Sequence, residues 1–228
     1  MKRLSIVLPV LNEGATIGDA LSRVRATDAC ELEFIVADGG SQDDTAAIAQ
    51  ARGARVVRCP RGRALQMNAG AQVATGDVLL FLHADTRLPP DALGLIDRAI
   101  AAGAQWGRFD VRIDSRHPLL AVVAAMMNLR SRVTGIATGD QAIFCTRALF
   151  DALHGYAPIA LMEDIDFSSR ARLQARPACL HARVTTSGRR WERHGVLRTI
   201  MVMWRLRLRF FFGANPHDLA RDYRPHHE

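Results

Sequence analysis

The chain has 228 residues, 49% of them apolar, with a formal net charge of +7 and a sequence pI near 10.2. The length is near the upper end for one hydrophobic core, and the apolar fraction excludes a disordered chain. No repeat at solenoid spacing, no apolar run approaching about 18 uncharged residues and no N-terminal apolar leader is visible, so a repeat protein, a transmembrane helix and a signal peptide are not expected.

Leu4 to Val10 is a short apolar run and reads as a buried strand. Thr16 to Arg25 follows with Ile17, Leu21 and Val24 at helical spacing. Leu32 to Ala37 is a second apolar strand, ending in Asp38-Gly39-Gly40-Ser41, and Asp43-Asp44-Thr45 opens a helix with acids in its first turn. Ala54 to Arg58 is a third strand and Ala64 to Ala74 a helix broken by Gly76. Val78 to Leu82 is a fourth strand that runs into His83-Ala84-Asp85-Thr86, and Pro89-Pro90 opens a helix through Ile100. Four strand–helix alternations predict an α/β fold with a parallel sheet flanked by helices on both faces. Polar residues gather just past strands one, two and four, where ligands of open α/β sheets bind.

The second half is less regular. Trp106 to Ile113 alternates like a strand, Leu119 to Val133 is helical, Ala142 to Thr146 is a short strand candidate, and Leu161 to Leu173 carries an acidic helix start. From Arg193 the chain is arginine-rich and apolar. Leu197, Ile200, Met201, Trp204, Leu208 and Phe211 share one helical face, and Arg198, Arg205 and Arg209 another. That pattern suits a peripheral contact of 193–212 with an anionic membrane, or docking on the same domain or on a second subunit. No linker separates the halves. Residues 1–192 are therefore expected to form one domain and 193–228 a basic, amphipathic helical extension of it.

Lys2 is the only lysine, so the positive charge is almost all arginine. Arginine grips phosphate with a planar fork of donors, although a compositional preference for Arg over Lys explains the excess equally well. Cys30, Cys59, Cys145 and Cys179 form no CxxC pair, which argues against zinc and for buried free thiols in a reducing, cytoplasmic compartment. Only 6% of residues are aromatic, which argues against a nucleic-acid-binding face. The absence of GxGxxG and GxxxxGK[ST] weakens dinucleotide and ATPase readings.

Three polar stretches at strand ends carry the candidate chemistry. Pro9-Val10-Leu11-Asn12-Glu13 offers hydrogen-bonding groups past strand one, with Asn12 also readable as a helix cap. Asp38 and the two glycines after it can meet a base or ribose, or form an ordinary turn. His83-Ala84-Asp85-Thr86 offers a hard oxygen ligand to Mg²⁺ or Mn²⁺. Arg61-Gly62-Arg63, with Asn68 further along the same helix, precedes a helix N-terminus suited to a diphosphate. Gly139-Asp140-Gln141 and Glu163-Asp164 supply acids, and Ser187-Gly188-Arg189-Arg190-Trp191-Glu192-Arg193 supplies arginines around a tryptophan. His181 and His194 read as structural histidines more readily than as metal ligands.

Together these stretches resemble family 2 GT-A glycosyltransferases over roughly residues 3–170, in "SIVLPVLNE", "IVADGGSQDDT", "GRALQMNAGAQVATGDVLLFLHADT" and "MEDIDFSSR". The HADT, GDQ and RRWE elements resemble a bacterial subgroup of arsenosugar-biosynthesis or radical-SAM-associated glycosyltransferases. The resemblance implies a GT-A fold: a Rossmann-like, mostly parallel sheet with a helical C-terminal extension. It also implies inverting, metal-dependent hexosyl transfer from a nucleotide-sugar, a UDP-sugar above all. It places Pro9, Asn12, Glu13, Asp38, Arg61, Arg63, Asn68, His83 and Ala84 at the nucleotide and Asp85 at Mn²⁺ or Mg²⁺. It places Gly139, Asp140, Gln141 and Trp191 at an unidentified acceptor, with Asp164 as base and Glu163 beside it. His83 stands where the family carries the first acid of its DxD signature. A metal-dependent nucleotidyltransferase is the alternative; such enzymes carry a glycine-rich basic loop after strand one, where this chain has Pro9 to Glu13.

Overall fold

The computed structural model describes residues 1, 3–24 and 31–223, the side chain of Arg190 excepted. Arg25 and Cys30, named above, lie outside the described residues. β1 (Arg3–Val10) pairs in parallel with β2 (Glu31–Asp38) on one side and with β4 (Val78–Phe81) on the other, and β3 (Arg55–Arg58) extends β2 in parallel. The order along the sheet therefore reverses at β1, and a crevice opens past the carboxyl ends of β1, β2 and β4. Helices α1 (Gly14–Ser22), α2 (Thr45–Ala51) and α3 (Arg63–Val73) make the crossovers.

Beyond β4 the sheet gains antiparallel neighbours, while four of its seven strand pairings are parallel, as a mostly parallel sheet requires. After α4 (Ala92–Ala101), β6 (Trp106–Asp114) lies antiparallel to the short β7 (Phe144–Thr146), which itself runs antiparallel to β4. A strand with no counterpart in the sequence reading, β8 (Ala178–Ser187), pairs in parallel with β6, and β5 (Thr86–Arg87) closes the edge antiparallel to β8. The β6–β8 register skips two residues of β8, His181 and Ala182, between Phe109 and Asp110. Because two residues are skipped, the in–out alternation is kept, and Ala178, Leu180, Ala182 and Val184 all face the same core cluster on both sides of the bulge.

The pleat of β1 divides the core. Leu4, Ile6 and Leu8 join the cluster on one face with Ile17, Leu80 and Ile96, while Val7 joins Met67, Phe81, Tyr156 and Phe167 on the other. On that second face α3 comes close enough to β1 that a Cβ on Gly70 would lie 2.4 Å from Val7 Cγ1. Only glycine permits this approach.

Helix α5 (Pro118–Thr134) covers β6, a 3-10 turn spans Gly139–Gln141, and α6 (Arg147–Ala152) leads to α7 (Glu163–Gln174). Then α8 (Arg189–His194), α9 (Val196–Phe211) and α10 (Pro216–Tyr223) follow, so the expected boundary at 192/193 falls inside α8. Leu206 and Leu219 form a small core with Met162 at the start of α7, which docks α9 and α10 on the domain. Ile200, assigned to the outer apolar face of α9, is half-buried instead, while Leu197, Met201, Trp204, Leu208 and Phe211 stay exposed. Arg205 and Arg209 lean on Asp222 of α10. Among the described cysteines only Cys145 is buried; Cys59, just past β3, and Cys179, near the start of β8, are half-exposed.

Candidate active site

The first two loops at the crevice hold one another. The backbone N–H groups of Asn12, Glu13 and Gly14 donate to Ser41 Oγ (2.9 Å), Thr45 Oγ1 (2.8 Å) and Asp43 Oδ2 (2.9 Å). Asn12 Oδ1 accepts from Gln42 N at 2.9 Å, and Asn12 adopts a left-handed φ of 55°. Asn12 is therefore a brace between loops, not a helix cap; Glu13 occupies the cap position of α1 and accepts the Thr16 hydroxyl at 2.6 Å. The Thr45 hydroxyl and the Gly14 N–H hold the Asp43 carboxyl below the usual carboxylate range. Asp38 is only 2% exposed, and its Oδ1 accepts from Ser41 N at 2.9 Å.

A residue absent from the sequence-derived site ties these loops to α3. Gln66 Nε2 donates to the carbonyls of Val10 (2.7 Å) and Ala37 (3.0 Å), so one buried amide fixes the ends of β1 and β2. The signal was a polar residue on the inward face of α3, among Ala64, Met67, Gly70 and Ala71. It acts as a backbone clamp beside the Gly39 N–H, which also donates to the Val10 carbonyl at 3.0 Å, so the ends of β1 and β2 are tied twice.

The crevice is a cleft of about 500 Å³. Of the expected residues, Pro9, Glu13, Arg61, Arg63, His83, Ala84, Asp85, Asp140 and Trp191 line it. Thr16, Gln66, Thr186, Ser187 and Arg189 line it too, the last three brought there by the unforeseen β8 and the turn after it. Asn12, Asp38, Asn68, Gly139, Gln141, Glu163 and Asp164 do not. Asn68 is turned to Tyr156, donating to its carbonyl at 2.8 Å and accepting from its N–H at 2.9 Å, so both ends of its amide serve the fold. Gln141 is fully buried and its Oε1 accepts from Thr138 N at 3.2 Å, closing the 3-10 turn.

Three segments meet behind the part of the wall that His83 and Asp140 form. A Cβ on Gly139 would lie 2.7 Å from the His83 ring, so glycine is needed for the contact. His83 Nδ1 lies 3.5 Å from Asp140 Oδ1. Asp164 Oδ2 accepts from Gly139 N at 2.8 Å and its Oδ1 from Ile165 N at 2.7 Å, which fixes the carboxylate at the head of α7. Glu163, 4% exposed, lies 3.9 Å from Arg63. Burial, and next the charge of Asp164, push the Glu163 carboxyl above its ordinary range. Asp166, readable as a solvated acid, instead accepts from Arg170 Nε at 2.8 Å.

Asp85 is exposed in the cleft, with the Thr86 hydroxyl 3.3 Å from Oδ1. Among the described residues no group of three His, Cys, Asp or Glu side chains could cage a metal. One carboxylate nonetheless suits an ion that arrives with a diphosphate, since Mg²⁺ is commonly held by one or two carboxylates with phosphate and water. His181 sits exposed on β8, 3.3 Å from Arg132, and neither it nor His194 lines the cleft.

Residues 5–143 match the family described as Glycosyl transferase family 2. The undecaprenyl-phosphate 4-deoxy-4-formamido-L-arabinose transferase of Klebsiella pneumoniae subsp. pneumoniae is 31% identical over 157 residues, 61% of this chain and 46% of the relative. The glucosyl-3-phosphoglycerate synthase of Mycobacterium tuberculosis is 38% identical over 96 residues, 37% of this chain and 29% of the relative. The chain thus spans less than half the length of these curated relatives. A crystal structure of that mycobacterial synthase with Mn²⁺, UDP and glucosyl-3-phosphoglycerate superposes with a TM-score of 0.61 at 26% identity, over 80% of this chain and 70% of the other. Staphylococcus aureus TarS 1-349 with UDP, at 19% identity, shares the fold with a TM-score of 0.65 over 82% of this chain and 60% of that one. With its signature loops gathered at the switch point of a GT-A sheet, the chain belongs to glycosyl transferase family 2.

Proposed function

We propose that the chain transfers a glycosyl group from a UDP-sugar, with inversion at the anomeric carbon and with Mn²⁺ or Mg²⁺, to a hydroxyl-bearing acceptor. The observation that carries this reading is the convergence of Asp85, Arg61, Arg63 and Arg189 on one cleft past the β1–β4 switch point. The Mn²⁺ and UDP of the mycobacterial neighbour support the choice of metal and donor.

In this reading Pro9 and Glu13 flank the nucleoside, on loops held by Gln66 and the Ser41–Thr45 rack. Arg61, Arg63 and Arg189 face the diphosphate. Asp85 holds the metal, which when bound offsets the charge of the departing diphosphate. Asp164 takes the acceptor proton; its two N–H bonds orient it for that task. The HADT, GDQ and RRWE elements support the arsenosugar-biosynthesis or radical-SAM-associated subgroup.

No helix among the described residues is long and apolar enough to cross a membrane. The outward apolar residues of α9, among them Trp204 and Phe211, support a peripheral contact with the cytoplasmic face of a membrane.

Calorimetry of UDP with and without Mn²⁺ tests the assignment. Wild type should bind UDP more tightly with Mn²⁺, and Asp85→Ala should lose that increment while melting normally. Undiminished Mn²⁺-dependent UDP binding by Asp85→Ala would remove Asp85 from the metal site. No UDP binding by wild type would remove the donor.

A further inference from the structure

A second concavity of about 390 Å³ runs between α5 and α9. Asp140 and Trp191 line both this groove and the donor cleft, so the two hollows share a wall. The groove's sides are apolar: Val123, Met126 and Met127 from α5, and Ile200, Met203 and Trp204 from α9. Its mouth continues onto bare apolar surface, where Val122, Met126, Met201 and Trp204 are each more than half exposed. Methionine and tryptophan walls adapt to a flexible apolar chain.

The groove also holds two arginines, Arg130 of α5 and Arg207 of α9. Arg130 Nε and Nη2 and Arg207 Nε are buried and have no hydrogen-bond partner among the described residues. Burying unsatisfied guanidinium groups side by side is costly. Burial, and next the charge of Arg207, push the Arg130 guanidinium down to about 10, while burial also lowers that of Arg207. An anion with several acceptor oxygens would satisfy these donors, and phosphate matches the arginine fork. The carboxylate of Asp164 acts on both guanidinium groups, which places the paired cations within electrostatic reach of the candidate base.

We infer that this groove is the acceptor site and that the acceptor is a single-chain phospholipid whose phosphate sits between Arg130 and Arg207 and whose apolar chain lies along the methionine and tryptophan walls. The inference rests on the glycosyl-transfer reading of the adjoining cleft. In the transfer, a hydroxyl oxygen of the lipid head group bonds to the anomeric carbon and its proton passes to Asp164. The bond from that carbon to the diphosphate oxygen breaks, and UDP leaves with the electron pair.

Binding is measured by calorimetry on the full chain, with decyl phosphate below its micellar concentration, glycerol 3-phosphate and decyl maltoside as probes, and with UDP and Mn²⁺ run in parallel. Wild type should bind decyl phosphate at least tenfold more tightly than either other probe. Arg130→Gln with Arg207→Gln should weaken decyl phosphate at least tenfold, and Met203→Glu should do so through the chain, both leaving UDP binding with Mn²⁺ unchanged. Equal affinity for glycerol 3-phosphate would make the acceptor a soluble phosphate and overturn the lipid assignment. Equal affinity for decyl maltoside, or a double variant that binds decyl phosphate as wild type does, would reduce the groove to an apolar surface. A groove closed by dimerisation, seen as a concentration-dependent doubling of mass with no decyl phosphate binding, would assign it to a second copy. Wild type that binds UDP with Mn²⁺ but not decyl phosphate refutes only this inference; absence of UDP binding by wild type refutes the donor reading beneath it.

Discussion

Replacing Asp164 by Asn separates chemistry from scaffolding at the head of α7. Both carboxylate oxygens accept backbone N–H groups, from Gly139 and Ile165. An asparagine side chain offers one acceptor oxygen and one donor amide, so one of these two N–H groups must lose its partner. An unmet buried donor costs about 1–3 kcal/mol. At about 2–4 °C per kcal/mol for a chain of this size, the melting temperature should fall by about 2–12 °C. Removing the proton acceptor should also cut turnover by about two to four orders of magnitude, the usual worth of a general base. The assay pairs UDP release per enzyme, with a competent acceptor and at a temperature well below the variant's melting point, with calorimetric UDP binding in Mn²⁺. Donor binding should change little, since Asp85 and the arginines of the cleft are untouched. Near-normal turnover in Asp164→Asn with strong loss in Glu163→Gln would transfer the role to Glu163. Normal turnover in both would remove the pair from the mechanism.

Glu163→Gln should reshape stability against pH. A carboxyl raised by burial contributes stability that is fully present below its unfolded value of about 4.3 and is lost as pH rises through the folded value. The variant should therefore gain on wild type in urea melts taken from pH 4 towards neutrality; a gap constant with pH would contradict the shift. Gly70→Ala drives a methyl into Val7 and should cost about 1–3 kcal/mol by overpacking, read as a lower urea midpoint with an unchanged slope. An unchanged midpoint would mean that α3 can retreat from β1 freely. If the outer face of α9 meets an anionic membrane, the chain should cosediment with phosphatidylglycerol vesicles at low salt and less so at high salt. No cosedimentation at low salt would limit α9 to its docking role.

The sequence by itself determined the N-terminal half of this protein. Largely apolar runs such as Leu4 to Val10 and Val78 to Leu82, followed by polar and acidic residues, read as buried parallel strands, and β1 and β4 lie within a residue of those bounds. The loops at their ends were legible because polar groups stacked after apolar strands have one common side to face. What only the tertiary structure decided depends on contacts far apart in the chain. The place of β8 in the sheet, in parallel beside β6 with a two-residue bulge at His181 and Ala182, is set by pairing across about 70 residues of chain. Asn12 and Asn68 carry the chemistry of ligand-binding residues, yet their amides are committed to backbone groups at Gln42 and at Tyr156, and no local pattern announces such partners. Nothing in the local sequence sets Arg130 and Arg207 apart from the other arginines of a basic chain. They become a candidate anion site only when the packing of α5 against α9 removes water from both.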